Sequence, residues 1–187
     1  MLAICEMCKL LYNALRLEIL VRVFDAKDGI SVGYLADDMQ NSGLGVSGVS
    51  QYLKQLERLG VVRRVRAGRY VNYEADMRRA DLKVRTAVVA IVPKVKKGGA
   101  DALLPVFGAL MNPFRARVVA AVAKAGAISA VEICEKTEHQ VKYLKRDLQA
   151  AVDAGLVDPD DSDTAQAVYH YIEPSDPIVR ALVELLA

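Results

Sequence analysis

The sequence contains few of the residues from which catalytic and metal sites are most often built. Among its 187 residues there are only two histidines and three cysteines. His139 and His170 lie far apart in the sequence, and structural roles are favoured for both. The sequence also contains no Gly-rich phosphate loop after a strand and no nucleophile elbow. These absences argue against an enzyme, and they predict neither a cofactor nor a metal site.

Long apolar runs are missing as well. The run from Ala87 to Val92 is far shorter than the roughly 20 residues that a membrane-spanning helix needs. The first residues lack a basic segment, and Glu6 and Lys9 interrupt their apolar stretch, so the sequence predicts no signal peptide. Three cysteines without such a signal favour a reduced, cytoplasmic protein that has no contact with a membrane.

The three cysteines allow more than one interpretation. Cys5 and Cys8 have the Cys-x-x-Cys spacing of a metal or redox site, but no second pair completes four ligands. Positions three apart share a face of a helix, here with Ile4 and Leu11, so buried structural thiols are the favoured interpretation. A thiol sensor and a metal site are the alternatives. Cys134 has no identifiable partner and is expected in the core.

Charge is unevenly distributed, although the net charge is only +2. Residues 1–99 carry 17 Lys and Arg against 10 Asp and Glu, a net of +7, whereas residues 100–187 carry 8 against 13, a net of −5. Apolar residues make up 53% of the chain, which excludes wholesale disorder. The asymmetry predicts that the basic half meets a polyanion. Chance scatter of charge between two domains is the alternative.

Residues 46–64 have a helical pattern with two contrasting sides. The apolar side is expected to face a core and contains Val46, Val49, Leu53, Leu56 and Gly60. The opposite side contains Ser47, Ser50, Gln51, Lys54 and Arg58. Gly60 is expected to end the helix. A helix with one apolar side and one donor-rich side suits the major groove of DNA, so the polar set is a candidate DNA interface, on a recognition helix that spans residues 47–59.

The segment after this helix predicts a two-stranded β-hairpin that turns near Ala67 and Gly68. Its cations are Arg63, Arg64, Arg66 and Arg69, and no acid lies among them. If side chains alternate across the hairpin, Arg64 and Arg66 share one face and Arg63 lies opposite. We expect this wing, residues 63–73, to contact the phosphate backbone; a solvated hairpin is the alternative. A recognition helix followed by a basic hairpin predicts a winged helix-turn-helix.

Two capping signals and one break in the helical pattern set the expected helix starts. Residues 2–24 are helical in pattern, with a break near Asn13 that divides two helices. Ser31 is a favourable N-cap for a short helix. Ser129 and Glu132 have the spacing of a capping box, which opens a corresponding helix in the second half.

The domain boundary is predicted near residue 93. Apolar residues recur at helical spacing from Asp76 to Val92, and Pro93 is expected to end that helix at or before Val92. Residues 94–100 combine a basic cluster with two glycines and predict a linker. The chain therefore divides into residues 1–93, with the basic wing, and residues 101–187.

The second half repeats the pattern of the first. The helix that begins at Asn13 lines up with one that begins at Asn112, and the final strands match Tyr73 with Tyr171. The predicted fold class is mainly α with small β-hairpin wings, formed by tandem winged helix-turn-helix domains. The repeat could supply both halves of a binding unit within one chain.

The second copy differs from the first where DNA contact is expected. Residues 158–166 carry four aspartates, which a phosphate backbone would repel. Thr137 and Gln140 are interpreted as a capping box that opens a second recognition helix. Its outer side bears the cations Lys142, Lys145 and Arg146, which Asp147 joins. This copy is expected to bind DNA through its helix alone, or else to serve pairing.

The first copy resembles the ArsR-type winged helix-turn-helix transcriptional regulators. The likeness lies in residues 15–20, 31–36 and 46–62 and in the basic hairpin through Tyr73. The resemblance implies a two-fold dimer that represses promoters and releases DNA on binding an effector. It also implies that Ser47, Ser50, Gln51 and Lys54 face the major groove, and that residues 2–12 and 76–92 form the dimer contact.

Two departures from that family matter. Its members are usually single-domain homodimers, so this two-copy chain is expected to form either a homodimer or an intramolecular pseudo-dimer. The metal-sensing members place cysteines where this chain has Ser31 and Gly33, so that metal site is absent. The effector is unknown. The expected function is sequence-specific binding of double-stranded DNA by a transcriptional regulator; a winged-helix protein-interaction module without DNA binding is the alternative.

Overall fold

The computed structural model describes residues 1–68, 70–138, 140–160 and 167–186, which form a mainly helical protein with small antiparallel sheets. The helices are α1 (Leu2–Leu11), α2 (Ala14–Asp25), α3 (Val32–Asp38), α4 (Val46–Arg58), α5 (Leu82–Lys96), α6 (Ala100–Leu110), α7 (Pro113–Ala125), α8 (Ala130–Thr137), α9 (Val141–Asp153) and α10 (Pro177–Glu184). The strands are β1 (Ile30–Ser31), β2 (Val62–Ala67), β3 (Tyr70–Ala75), β4 (Ala127–Ser129), β5 (Val157–Pro159) and β6 (Val168–Tyr171). A 3-10 turn covers Gln40–Ser42.

The chain forms two compact units. One comprises Asn13–Ala100, and the other comprises Met1–Tyr12 together with Asp101–Ala187. Helix α1 therefore belongs with the second half of the chain rather than with residues 13–93. Its apolar side is buried and consists of Ile4, Cys5, Met7, Cys8 and Leu11. That side is buried within the chain, and the dimer contact that the family resemblance implied for residues 2–12 stays a prediction.

The Asn13–Ala100 unit has the element order α2, β1, α3, α4, β2, β3, α5. Its sheet has the strand order β1-β3-β2, and Ile30 of β1 lies opposite the buried Tyr73 of β3. Two ion pairs join helices of this unit. Arg22 of α2 pairs with Asp38 at the end of α3, and Lys96 of α5 pairs with Asp25 of α2.

The other unit repeats this order as α7, β4, α8, α9, β5, β6, α10, with the strand order β4-β6-β5. Asn13 and Asn112 are the N-caps of the corresponding helices α2 and α7, as the break near Asn13 predicted. Ser31 caps α3 by accepting a hydrogen bond from the Tyr34 N–H, and Ser129 forms the predicted capping box with Glu132. Element order and strand order are therefore the same in both units.

The match between the strand tyrosines shifts by two residues. Tyr73 lies opposite Ile30, and the residue opposite Ile128 is Tyr169, not Tyr171. Tyr73 and Tyr169 are 2% and 4% exposed, whereas Tyr171 is half-buried. The prediction that paired Tyr73 with Tyr171 was wrong, because both tyrosines point to the same face of a strand and only the register distinguishes them.

Helix α5 continues past Pro93 to Lys96, so the prediction that it ends at or before Val92 was wrong. Proline removes one helical hydrogen bond, the one that the carbonyl of Val89 would accept. Val89 and Pro93 are both exposed, which lets water hydrate that carbonyl. The first half of the predicted linker is thus the last helical turn, and the Gly98 and Gly99 N–H groups donate to carbonyls of that turn.

The start of the second recognition-type helix also differs from the expectation. Thr137 is the last residue of α8; it is buried, and its hydroxyl donates to the Ile133 carbonyl at 2.6 Å. Gln140 is the N-cap of α9 but makes no side-chain capping bond. Thr137 and Gln140 therefore form no capping box, since a threonine within a helix can satisfy its hydroxyl on the preceding turn.

No single helix among the described residues combines the length and apolar character needed to cross a bilayer. Helices α6 and α7 reach that length and composition only when taken together, and a bend of 100° separates them.

Candidate nucleic-acid interface

Helix α4 has a polar side opposite its buried side. Val49, Leu53 and Leu56 are at most 1% exposed, which fixes the orientation of the helix. At about 100° per residue, Ser47, Gln51, Lys54 and Arg58 fall within about 60° of one another, directly opposite that apolar stripe. All four are exposed, and Ser50 at the edge of the group is partly exposed.

One residue of the predicted apolar side is misplaced. Val46, expected in the core, is 56% exposed because it lies in the first turn of α4, ahead of the packed part of the helix. The other end matches the prediction, since Gly60 adopts a positive φ of 79° and ends the helix. Its N–H donates to the Glu57 carbonyl, and the Val61 N–H donates to the Leu56 carbonyl, a Schellman motif.

The contact between α2 and α4 was not anticipated from the sequence. The guanidinium of Arg16 stacks over the ring of Tyr52, 4.5 Å from its centroid. A cation over an aromatic face is attracted by the ring quadrupole. The Arg16–Tyr52 pair, together with the buried Leu53, anchors the middle of α4 and leaves its polar side uncovered.

The hairpin separates its arginines by face, as alternation predicted. In the β2–β3 register, Arg64 lies opposite Tyr73 and Arg66 opposite Val71, so both arginines extend from the face that carries the buried tyrosine. Arg63 lies opposite Glu74 on the other face. Arg64 and Arg66 are exposed. Arg69, also predicted to contact phosphate, lies outside the described residues.

Arg63 forms ion pairs with two acidic residues at the base of the hairpin. Its Nη2 lies 2.8 Å from Oε2 of Glu74, and its Nε lies 3.5 Å from Oδ2 of Asp76. Asp76 also receives hydrogen bonds from Arg78, with Nη2 at 2.7 Å and Nε at 2.9 Å. Hydrogen bonds from Arg78 and the positive charges of Arg78 and Arg63 hold the pKa of Asp76 well below its usual range. Arg63 therefore adds less net positive charge than the sequence suggested.

The lowered pKa of Asp76 predicts a pH-dependent contribution to stability. A carboxyl whose pKa is depressed on folding stabilises the protein above its unfolded pKa of about 3.9, and this contribution is lost as pH falls through the folded value. We expect Asp76→Asn to unfold at a lower urea concentration than the wild type at pH 7. The gap between the two midpoint urea concentrations should narrow steadily below about pH 4. Asp28→Asn, in an exposed loop, serves as the control. A gap that stays constant down to pH 2 would contradict the prediction.

Helix α9 matches α4 in length, with 13 residues in each, and buries Leu144, Leu148 and Ala151. The predicted cations Lys142, Lys145 and Arg146 are all exposed. The ring of Tyr143 lies between two of them, with Lys142 Nζ 4.7 Å and the Arg146 guanidinium 5.2 Å from its centroid. Arg146 also pairs with Asp147 at 3.1 Å. The outer side of α9 is therefore cationic, whereas that of α4 is mixed and rich in hydrogen-bonding groups.

The acidic hairpin of the second unit is described only in part. Asp158 and Asp160 are exposed, and Asp158 lies opposite His170 in the β5–β6 register. Residues 161–166, with the other predicted aspartates, lie outside the described residues, as does His139. In the described part, Asp158 occupies the strand position that corresponds to Arg63 of the first hairpin, and Pro159 the position that corresponds to Arg64.

The cysteines occupy the core. Cys5, Cys8 and Cys134 are buried free thiols, as favoured from the sequence. Burial raises the pKa of each thiol. Because the thiolate is the form that binds metals and attacks oxidants, burial lowers the fraction of each thiol that is in the reactive form. In the part of the chain that the structure describes, no group of three or more His, Cys, Asp or Glu residues could hold a metal ion.

Comparison with known proteins adds no further identification. No protein-family model, curated protein or solved structure matched the chain. The resemblance to ArsR-type regulators therefore stays a prediction from the quoted residues, and the functional argument depends on the geometry of α4, the β2–β3 hairpin and α9.

Proposed function

We propose that the chain is a sequence-specific double-stranded DNA-binding protein that regulates transcription in the manner of ArsR-type repressors. Each unit would be a winged helix-turn-helix, with α3 and α4 as the helix-turn-helix of the first and α8 and α9 as that of the second. The observation that carries the proposal is the exposed polar side of α4, opposite its buried stripe and followed by an arginine-bearing hairpin.

The chemistry of the α4 side suits base recognition. The major groove of B-DNA admits an α-helix, and an amide side chain such as Gln51 matches the donor and acceptor pattern of adenine. Lys54 can donate to guanine or to a phosphate, and the Ser47 hydroxyl can do either. Phosphate contacts would then come from Arg58 and from the hairpin residues Arg64 and Arg66, which fix position rather than sequence.

The second unit suits a different contribution to binding. The cations of α9 would contact the phosphate backbone, while the acidic residues after α9 would keep its hairpin away from DNA. This division gives one unit that reads bases and one that adds electrostatic affinity. Light scattering of the protein, alone and with duplex, would establish whether one chain or a homodimer forms the binding unit.

A protein-interaction module is the second candidate, favoured by the opposite net charges of the two halves. The two functions differ in their response to salt. Phosphate contacts release counterions, so the logarithm of the affinity for mixed-sequence duplex should fall steeply and linearly with the logarithm of salt concentration. Failure to bind duplex even at low salt would exclude the DNA-binding proposal.

The contribution of the hairpin can be measured by removing the two arginines that share a face. We expect Arg64→Ala with Arg66→Ala to weaken duplex binding and to lower the slope of log affinity against log salt by about two, since each phosphate contact contributes about 0.9. The control, Lys83→Ala with Lys97→Ala, instead removes one charge from α5 and one from the residue that follows it. An unchanged slope in the arginine variant would show that the hairpin is not a wing.

A further inference from the structure

The outer face of the β1-β3-β2 sheet carries an aromatic groove that is separate from the polar side of α4. The groove has a volume of about 430 Å³ and is lined by Ala26, Gly29, Ile30, Ser31, Tyr34, Tyr70 and Asn72. Two large rings border it, and they are unusually accessible: Tyr34 is 64% exposed and Tyr70 is 57% exposed. Among the described residues, no charged side chain lines the groove. Its chemistry is therefore aromatic and neutral-polar.

Strand register explains why these groups meet on this face. Tyr70 and Asn72 alternate with Val71 and Tyr73 on β3, so they point away from the face that carries the buried tyrosine. Ser31 pairs with Asn72 across β1 and β3, which brings the start of α3, and with it Tyr34, to the same edge.

Gly29 lines the groove and leaves space that a side chain would fill. Gly29 adopts a φ of 76°, and a Cβ at this position would lie 2.8 Å from Cγ of Glu74 and 3.4 Å from Cβ of Asn72. A larger residue would thus be strained and would fill the space beside Asn72. The amide of Asn72 makes no hydrogen bond to any described residue, so it can offer a donor and an acceptor to a ligand.

We propose that this groove binds an unpaired nucleobase of a single-stranded nucleic acid. A base is planar, neutral and hydrogen-bonding at its edge, which matches two exposed rings and a free amide. Stacking on aromatic rings tolerates any base, because every base has a π-face. The surrounding half of the chain has a net charge of +7, which favours a polyanion over a neutral ligand. Tyr70 and Asn72 lie on the hairpin face opposite Arg64 and Arg66, and the proposal does not depend on the duplex proposal.

The test uses the 187-residue chain and a mixed-sequence single-stranded DNA of about 12 nucleotides, a length in the range of known single-strand sites. Fluorescence anisotropy of the labelled strand measures its binding. We expect Tyr34→Ala with Tyr70→Ala to weaken strand binding roughly tenfold or more, since the base loses its aromatic partners. Tyr34→Phe with Tyr70→Phe keeps both rings and should bind within about twofold of the wild type. Thermal unfolding checks that the variants fold, as the exposure of both rings leads us to expect.

Two further ligands distinguish the possible outcomes. An abasic strand keeps the phosphates, so the wild-type protein should bind it as weakly as the alanine variant binds the normal strand. Blunt duplex of the same sequence offers no unpaired base, so the two alanine substitutions should weaken binding of the single strand more than binding of the duplex. Equal affinity of the wild-type protein for normal and abasic strands, or unchanged strand binding by the alanine variant, would overturn the proposal. Binding of a proline-rich peptide that requires the two rings, with strand binding unaffected, would also overturn it.

Discussion

Gly60→Ala is expected to destabilise the Asn13–Ala100 unit by about 3 kcal/mol or more, of which roughly 1–2 kcal/mol is the cost of the left-handed conformation. A Cβ at this position would lie 2.7 Å from the carbonyl carbon of Arg79 and 2.8 Å from the nitrogen of Ala80. These are backbone atoms, so a rotamer change cannot relieve the overlap. Either the end of α4 or the segment before α5 must move, which would also disturb the candidate interface.

The second unit provides a matched control. Gly155 ends α9 at a φ of 66° with the same pair of capping hydrogen bonds, but no atom of the described residues lies within 4 Å of a Cβ built there. Gly155→Ala should therefore cost only the conformational term, about 1 kcal/mol. Urea unfolding measures the change in the free energy of unfolding for each variant. Hydrogen exchange then shows which of the two units has lost stability. If the two substitutions lower the free energy of unfolding equally, the close approach of Arg79 and Ala80 to Gly60 does not contribute to the destabilisation.

Gln51→Ala with Lys54→Ala is expected to reduce the preference for a selected duplex over mixed duplex by about 10- to 100-fold, because each good base contact contributes roughly 1–3 kcal/mol of discrimination. The binding sequence would first be selected from a random pool with the wild-type protein. Affinity for mixed duplex should change much less, since phosphates dominate non-specific binding.

Controls separate base reading from general damage to the interface. Gln40→Ala removes an exposed glutamine outside α4 and should leave the preference unchanged. The hairpin variant Arg64→Ala with Arg66→Ala should weaken selected and mixed duplex alike. A loss of preference in the hairpin variant but not in the α4 variant would show that the base contacts had been assigned to the wrong element.

Local signals in the sequence predicted most of the helix ends correctly. Ser31 and Ser129 were expected to cap helices and do so, because a side-chain oxygen that accepts a hydrogen bond from the first turn needs only neighbouring residues. Only a break was expected near Asn13, and there Asn13 caps α2. Gly60 was expected to stop α4 and does so for the same local reason. Pro93 was misread because one lost hydrogen bond near an exposed helix end is a small effect. Helix α6, with its internal Pro105, was not anticipated.

Features that depend on distant residues were harder to predict. Nothing in the spacing of α1 indicates that it groups with residues 101–187, since an apolar stripe does not specify what will cover it. The pairing of Arg63 with Glu74 and Asp76 required the strand register, and so did the correspondence of Tyr73 with Tyr169. The Arg16–Tyr52 stack joins two helices whose packing angle the sequence does not encode locally.

The sequence by itself determined which side of α4 is polar, that a hairpin with Arg64 and Arg66 on one face follows it, and where most helices begin. Those properties follow from periodicity and capping, which act within one element. The tertiary structure decided which of these groups remain available. It pairs Arg63 with acidic side chains, buries the apolar side of α1, and brings Tyr34 and Tyr70 to the border of one groove. Register and packing bring together residues far apart in sequence, and no local pattern specifies such contacts.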